Sequence, residues 1–195
     1  MKIAIALLLA TVAGALPAPA APATVVPLPR DSVYQSTAQL TDAQAHRFWW
    51  GEQRGRAQLV SMFYTSCRFV CPMIVDGAKS IQQSLTNEER GRLGVTLISL
   101  DPKRDTPQVL ARMQKDRDLD AARWTVASPD PRDVRAIAGL LGIRYRALAD
   151  GEFNHTTALV LLDADGRVIA RTEKVGGLPD PSFLAAVRRT LVPQR

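Results

Sequence analysis

The 195-residue chain is poor in the residues that usually carry chemistry: it has two cysteines, two histidines and 6% aromatics. Several function classes fall away at once. With no third cysteine, a four-sulfur zinc site cannot be built. The segment "VDGAKS" has Ala where a phosphate-binding loop requires Gly before Lys, so it is not such a loop. No H-E-x-x-H, no nucleophile elbow and no paired-carboxylate arrangement is present. Basic residues do not form a run interleaved with aromatics, which removes the usual footprint of nucleic-acid binding. No uncharged apolar stretch reaches the roughly 18 residues that a membrane span needs.

What is present begins at the N-terminus. Met1-Lys2 supplies a positive charge, Ile3 to Leu16 are uncharged and apolar, and small-x-small sites follow at Ala18-Pro19-Ala20 and Ala21-Pro22-Ala23. Positive, then apolar, then small is the pattern of a secretory signal peptide. The reading is a leader over residues 1–20 with cleavage near 20–23, in preference to an uncleaved anchor. A Pro-rich linker follows over 21–30, and one domain over 31–195. The leader holds no cysteine for lipid attachment. An exported chain is expected in the periplasm or another extracytoplasmic space, where an unprotected thiol pair tends to oxidise. The formal charge of +6 suits association with an anionic membrane surface or an acidic protein partner.

Along the domain, strand-like and helix-like patterns alternate. Apolar runs at Ala57–Tyr64, Gly94–Asp101, Arg123–Ser128, His155–Asp163 and Arg167–Thr172 read as strands. Helices are expected from Pro72 to about Leu85, with Met73, Ala78, Ile81 and Leu85 inward, and after Thr106-Pro107, Asp130-Pro131 and Asp180-Pro181. Proline costs nothing at a first helical position, where its missing N–H has no partner anyway. Ala164-Asp165-Gly166 marks a hairpin between the last two strands. Residues 31–55 read as a smaller β-rich or irregular piece. Strands alternating with helices predict an α/β fold with a mostly parallel sheet covered on both faces, closed by a hairpin and a helix. This is the layout of a thioredoxin-like domain.

Both cysteines fall in "FYTSCRFVCPMI", separated by three residues, with Cys67 in the turn leaving the first buried strand and Cys71 at the helix start. The helix dipole and Arg68 favour thiolates there. A thiolate can attack a disulfide or bind a metal, so a structural disulfide, a redox dithiol and a metal site all remain open on spacing alone. His46 sits beside Trp49 and Trp50, and His155 stands before an apolar strand. Asp101 ends a strand near the cysteine turn, where it could tune the site or simply start the turn at Pro102. Asp105 reads as a turn or cap residue and Tyr64 as core.

Three segments in order, "YTSCRFVCP", "SLDPKRDTP" and "FNHTTALVLLDADGRV", together resemble the signature segments of the Sco/SenC family over about Leu59 to Val168. The resemblance implies a thioredoxin-like copper metallochaperone that helps assemble the copper centre of cytochrome c oxidase. Its copper ligands would be Cys67, Cys71 and His155, and its partner a copper-receiving protein such as an oxidase subunit. Soft thiolates with one imidazole suit copper in either oxidation state. Family members carry Asp directly before the histidine, whereas this chain has Asn154. The rival expectation is a periplasmic thiol:disulfide oxidoreductase in which Cys67 attacks and Cys71 resolves. Such enzymes carry a proline facing the cysteines, and none precedes the strand at His155.

Overall fold

The computed structural model describes residues 27–67 and 70–193. The expected leader, most of the linker, and Arg68 lie outside the described residues. The strands are β1 (Gln39–Asp42), β2 (Arg47–Trp49), β3 (Ala57–Phe63), β4 (Leu93–Ser99), β5 (Trp124–Pro129), β6 (Tyr145–Ala147), β7 (Phe153–His155), β8 (Leu159–Leu162) and β9 (Val168–Thr172). The α-helices are α1 (Val70–Gln83), α2 (Asn87–Gly91), α3 (Pro107–Asp116), α4 (Val134–Leu140) and α5 (Pro181–Thr190).

Seven strands form one sheet in the order β2-β1-β5-β4-β3-β8-β9, and β6 pairs with β7 as a separate ribbon. The centre is parallel, β3 on β4 and β4 on β5. Every residue of β3 and β4 is buried, which requires cover on both faces and explains their unbroken apolar runs. Antiparallel strands flank this centre, β8 and β9 on one side and β1 and β2 on the other. The smaller piece at 31–55 joins the main sheet: β1 pairs with β5 and extends it. The turn between β8 and β9 is as read, with Gly166 at φ 80°, a conformation only glycine adopts cheaply.

Capping chemistry sets most helix starts. The Thr106 hydroxyl accepts from the Val109 N–H and the Asp180 carboxylate from the Ser182 N–H, each just ahead of a proline. Asp130-Pro131 does not start α4; a turn intervenes and the helix begins at Val134. Helix α1 begins two residues earlier than the proline suggests, so Cys71 belongs to its first turn and Pro72 is its third residue. That is allowed because N–H groups in a first turn have no intrahelical acceptor. The buried stripe of α1 is Cys71, Ile74, Val75, Ala78 and Ile81, while Met73 is 44% exposed. Met73, one position before Ile74, falls outside the 3.6-residue spacing of that stripe.

A second departure matters more for the site. Sequence pattern puts His155 at the head of a long strand, but the structure divides that run. His155 ends β7 in the ribbon opposite Tyr145, residues 156–158 belong to neither strand, and only then does β8 enter the main sheet.

Candidate metal centre

The first parallel strand delivers the cysteines. β3 ends at Phe63, whose carbonyl accepts from the Leu100 N–H at 2.7 Å, tying the ends of β3 and β4 together. The chain turns with the Cys67 N–H on the Tyr64 carbonyl and enters α1. The Cys71 N–H donates to the Cys67 sulfur at 3.4 Å. Both residues are thiols in the structure, Cys67 half-buried and Cys71 buried. Burial, above all, pushes the Cys71 thiol up, with the neighbouring Cys67 and Asp105 adding to it. A helix N-terminus that aims an N–H at one sulfur stabilises charge there, so the accessible Cys67 is the sulfur that this local geometry favours as thiolate.

Asp105 is the residue that the sequence reading undervalued. It is 1% exposed, and its carboxylate accepts hydrogen bonds from the Thr65 N–H, the Thr65 hydroxyl and the Ser99 hydroxyl. Its backbone carbonyl accepts the Ser128 hydroxyl. One side chain thus joins the cysteine turn to β4, and its backbone joins both to β5. Burial raises the Asp105 carboxyl above the usual range, while the hydroxyl and N–H donors pull the other way. The signal was present in the sequence as an Asp six residues after Ser99, but only the fold puts Thr65 against it. Asp101 takes a different part. Its carboxylate pairs with Arg104, and Arg104 in turn donates to the Gly151 carbonyl in the loop between β6 and β7.

His155 reaches this neighbourhood through Tyr64. The Tyr64 and His155 rings meet edge-on with centroids 5.8 Å apart, and Tyr64 also packs on Phe153 at 5.1 Å. The Tyr64 hydroxyl donates to the Glu152 carboxylate at 2.9 Å. His155 Nδ1 lies 3.1 Å from the Thr156 carbonyl, which fixes the proton on Nδ1 and leaves Nε2 as a lone-pair donor. Burial lowers its pKa below the ordinary imidazole value, so the ring is neutral at physiological pH and fit to bind a metal. His46, by contrast, stacks on Phe48 and lies near Asp42 on the surface, away from this neighbourhood.

Two thiols and a neutral imidazole are a donor set suited to copper. They are not yet assembled: among the described residues no group of three His, Cys, Asp or Glu side chains stands ready to hold one ion. The cysteines are together, and His155 is one aromatic ring away on a different support. Nor does any helix among the described residues have the length and apolarity to cross a membrane.

The fold and site define a class: a thioredoxin-like domain presenting a C-x-x-x-C dithiol at a helix start, beside a neutral histidine. Within that class the SCO1/SenC family model matches residues 29–191, and the chain belongs to that family. An SCO2-like protein of Rickettsia typhi is 27% identical over 134 residues, covering 67% of this chain and 66% of the relative, just under two thirds of its length. The copper-bound structure of Bradyrhizobium japonicum ScoI superposes with a TM-score of 0.66 at 23% identity, over 80% of this chain and 98% of that one. BsSco, described as having a disulfide switch and as a member of the Sco family of cytochrome c oxidase assembly proteins, gives a TM-score of 0.68 at 16% identity, over 80% and 92% of the two chains. Likeness at these identities establishes the shared thioredoxin-like fold.

Proposed function

We propose that this chain is an exported copper carrier that holds one copper ion through Cys67, Cys71 and His155 and passes it to a copper-receiving protein. The observation that carries this reading is the pairing of an adjacent dithiol with a neutral histidine whose Nε2 is open, the two joined through Tyr64. Copper bound to Bradyrhizobium japonicum ScoI supports the metal. The family relation to BsSco supports a cytochrome c oxidase subunit as recipient, and the basic charge of +6 supports docking on an acidic surface. The charged-then-apolar start of the sequence supports export.

In this reading the copper is cargo, and the unassembled state has a use. The cysteine pair accepts the ion first, and the ribbon carrying His155 moves in to complete the site. When the ribbon moves back, a coordination position opens for a recipient's ligand. Separation of the third donor is thus a means of release as well as capture.

The test is anaerobic titration of the reduced, leaderless protein with Cu(I) against a competing chelator and, separately, with stoichiometric Cu(II). One copper per chain in each state supports the reading, with binding lost in Cys67→Ser and Cys71→Ser and Cu(II) binding weakened in His155→Ala. Copper that stays loosely bound in the wild type and is indifferent to all three substitutions overturns it.

A second reading rests on the asymmetry of the dithiol. Cys67 is accessible and accepts an N–H, whereas Cys71 is buried with its thiol pushed up, the arrangement of an attacking and a resolving thiol. A thiol:disulfide oxidoreductase acting on the cysteines of a copper recipient would use it. Reduction of a disulfide-bonded peptide at rates that do not depend on His155 would favour this activity.

A further inference from the structure

The ribbon that carries His155 has two unlike faces. Tyr145 pairs with His155 and Ala147 with Phe153 across its strands, and residues paired in this way project to the same side. That side meets the body of the protein: Tyr145 and Phe153 pack against the core, and Tyr64 lies against Phe153 and His155. Arg146 pairs with Asn154 at the position between, so strand alternation sends both to the opposite side. Arg144 continues the same row. Its N–H donates to the Thr156 hydroxyl, and its carbonyl accepts from the Thr156 N–H. Arg144, Arg146 and Asn154 are all exposed. An open groove of about 590 Å³ borders the ribbon here, and its lining residues include Arg144, Arg146, Asn154, His155 and Glu173.

We propose that this basic row is the docking site for a carboxylate-rich segment of the copper-receiving protein. The inference rests on the copper reading above and names where the recipient binds. Charge balance is the first support. Neither the Arg144 nor the Arg146 guanidinium has an ion pair or side-chain hydrogen bond among the described residues, whereas Arg104 is paired with Asp101 and Arg171 with Glu173. The nearby carboxylates are already engaged: Glu173 by Arg171, Glu152 by the Tyr64 hydroxyl, and Asp150 by the Glu152 N–H. Directly across from Arg146 stands the amide of Asn154, which offsets no charge. Spacing is the second support. Residues two apart on a strand lie about 7 Å apart, the same interval as alternate side chains of an extended acidic segment. Guanidinium and carboxylate match in shape as well as charge, through paired N–H donors. Position is the third. A segment seated on this row lies on the two strands that carry His155, which holds the recipient beside the cargo.

The probe is a hexaglutamate peptide, added at low salt to the copper-free mature protein and followed by amide chemical shifts. Shifts are expected at residues 144–147 and 153–157, and added salt should abolish them. Affinity should fall about fivefold in Arg144→Gln or in Arg146→Gln, the upper range for one exposed charge pair. Asn154→Asp, which sets a carboxylate across from Arg146, should weaken binding similarly. Arg189→Gln removes the same charge from α5, beside a different groove, and should leave binding unchanged. Shifts scattered over the surface, or an equal loss in Arg189→Gln, would overturn the inference in favour of general attraction to a basic protein. Inorganic phosphate binding the row as tightly as the peptide would overturn it in favour of a simple anion site. Phosphatidylglycerol vesicles that need Arg144 and Arg146 while the peptide does not bind would overturn it in favour of a membrane surface. No metal enters this test, so absent docking in a protein that binds copper overturns the inference alone. Docking in a protein that fails to bind copper overturns the copper reading and leaves the acidic docking site standing.

Discussion

The cysteine turn and the histidine ribbon are built to opposite mechanical specifications. The turn hangs from β3, a strand buried along its entire length in the centre of a seven-stranded sheet, and Asp105 fixes it to the ends of β4 and β5. The ribbon is two strands of three residues each, outside that sheet. An isolated two-stranded hairpin is marginally stable at best. Its Tyr145 and Phe153 pack against the core, and it is further moored by Tyr64 to Glu152 and Phe153 and by Arg104 to the Gly151 carbonyl. The difference teaches that the donors have separable tasks. In the proposed copper reading, the dithiol on the buried strand would set which metal is accepted and the imidazole on the ribbon would set when it is fully held.

The comparison can be broken most severely at Asp105. Asp105→Ala leaves the Ser99 hydroxyl and the Thr65 N–H without their acceptor, an expected loss of about 3 kcal/mol of stability. Urea unfolding measures it, and a rigid turn predicts that copper affinity falls with it. Asp105→Asn retains one acceptor oxygen and should recover part of the loss. If Asp105→Ala is as stable as the wild type, the turn is not held in the way described.

Next is the asymmetry within the turn. Iodoacetamide should modify the half-buried Cys67 faster than the buried Cys71, because access and the N–H aimed at its sulfur both favour reaction there. Mass spectrometry of partly alkylated protein gives the ratio directly, and equal rates would remove the attacking-and-resolving assignment.

Tyr64→Phe should cost about 1 kcal/mol, the net worth of an ordinary hydrogen bond. Its more telling effect is local: amide exchange at residues 152–156 should accelerate while β3 and β4 stay protected. Uniform acceleration would mean that ribbon and sheet unfold as one unit, against the separation of tasks.

The smallest effect is a pH slope. Because the folded His155 pKa is lowered by burial, the folded state binds the proton more weakly than the unfolded chain. The stability contribution is then present above the ordinary imidazole value of about 6.5 and is lost as pH falls through the lowered folded value. His155→Gln should flatten the decline in stability between roughly pH 7 and 5. An unchanged slope would show that the ring protonates as freely folded as unfolded.

How far the sequence could be read depended on how local each cause was. The buried strands were visible as unbroken apolar runs, the hairpin at Gly166 as a turn signal, and the starts of α3 and α5 as hydroxyl or carboxylate caps ahead of proline, because each reflects interactions within a few residues. The thiol pair was legible for the same reason, four positions apart on one helical turn. Residues 31–55 were not legible as part of the main sheet, since β1 finds its partner in β5, nearly ninety positions away. Nor was the break after His155: the pattern "HTTALVLLD" is continuous, and only competition between the ribbon and the sheet divides it.

By itself, then, the sequence determined the alternation of elements, the dithiol at a helix start and a resemblance that names copper. The tertiary structure alone decided that Asp105, and not Asp101, braces the cysteine turn. It also decided that Tyr64 stands between thiols and imidazole. Those outcomes depend on contacts between residues 20 to 90 positions apart, as Thr65 to Asp105 and Tyr64 to Glu152 are. Contacts of that kind exist only once burial of the central strands has brought the ends of β3, β4 and β5 together.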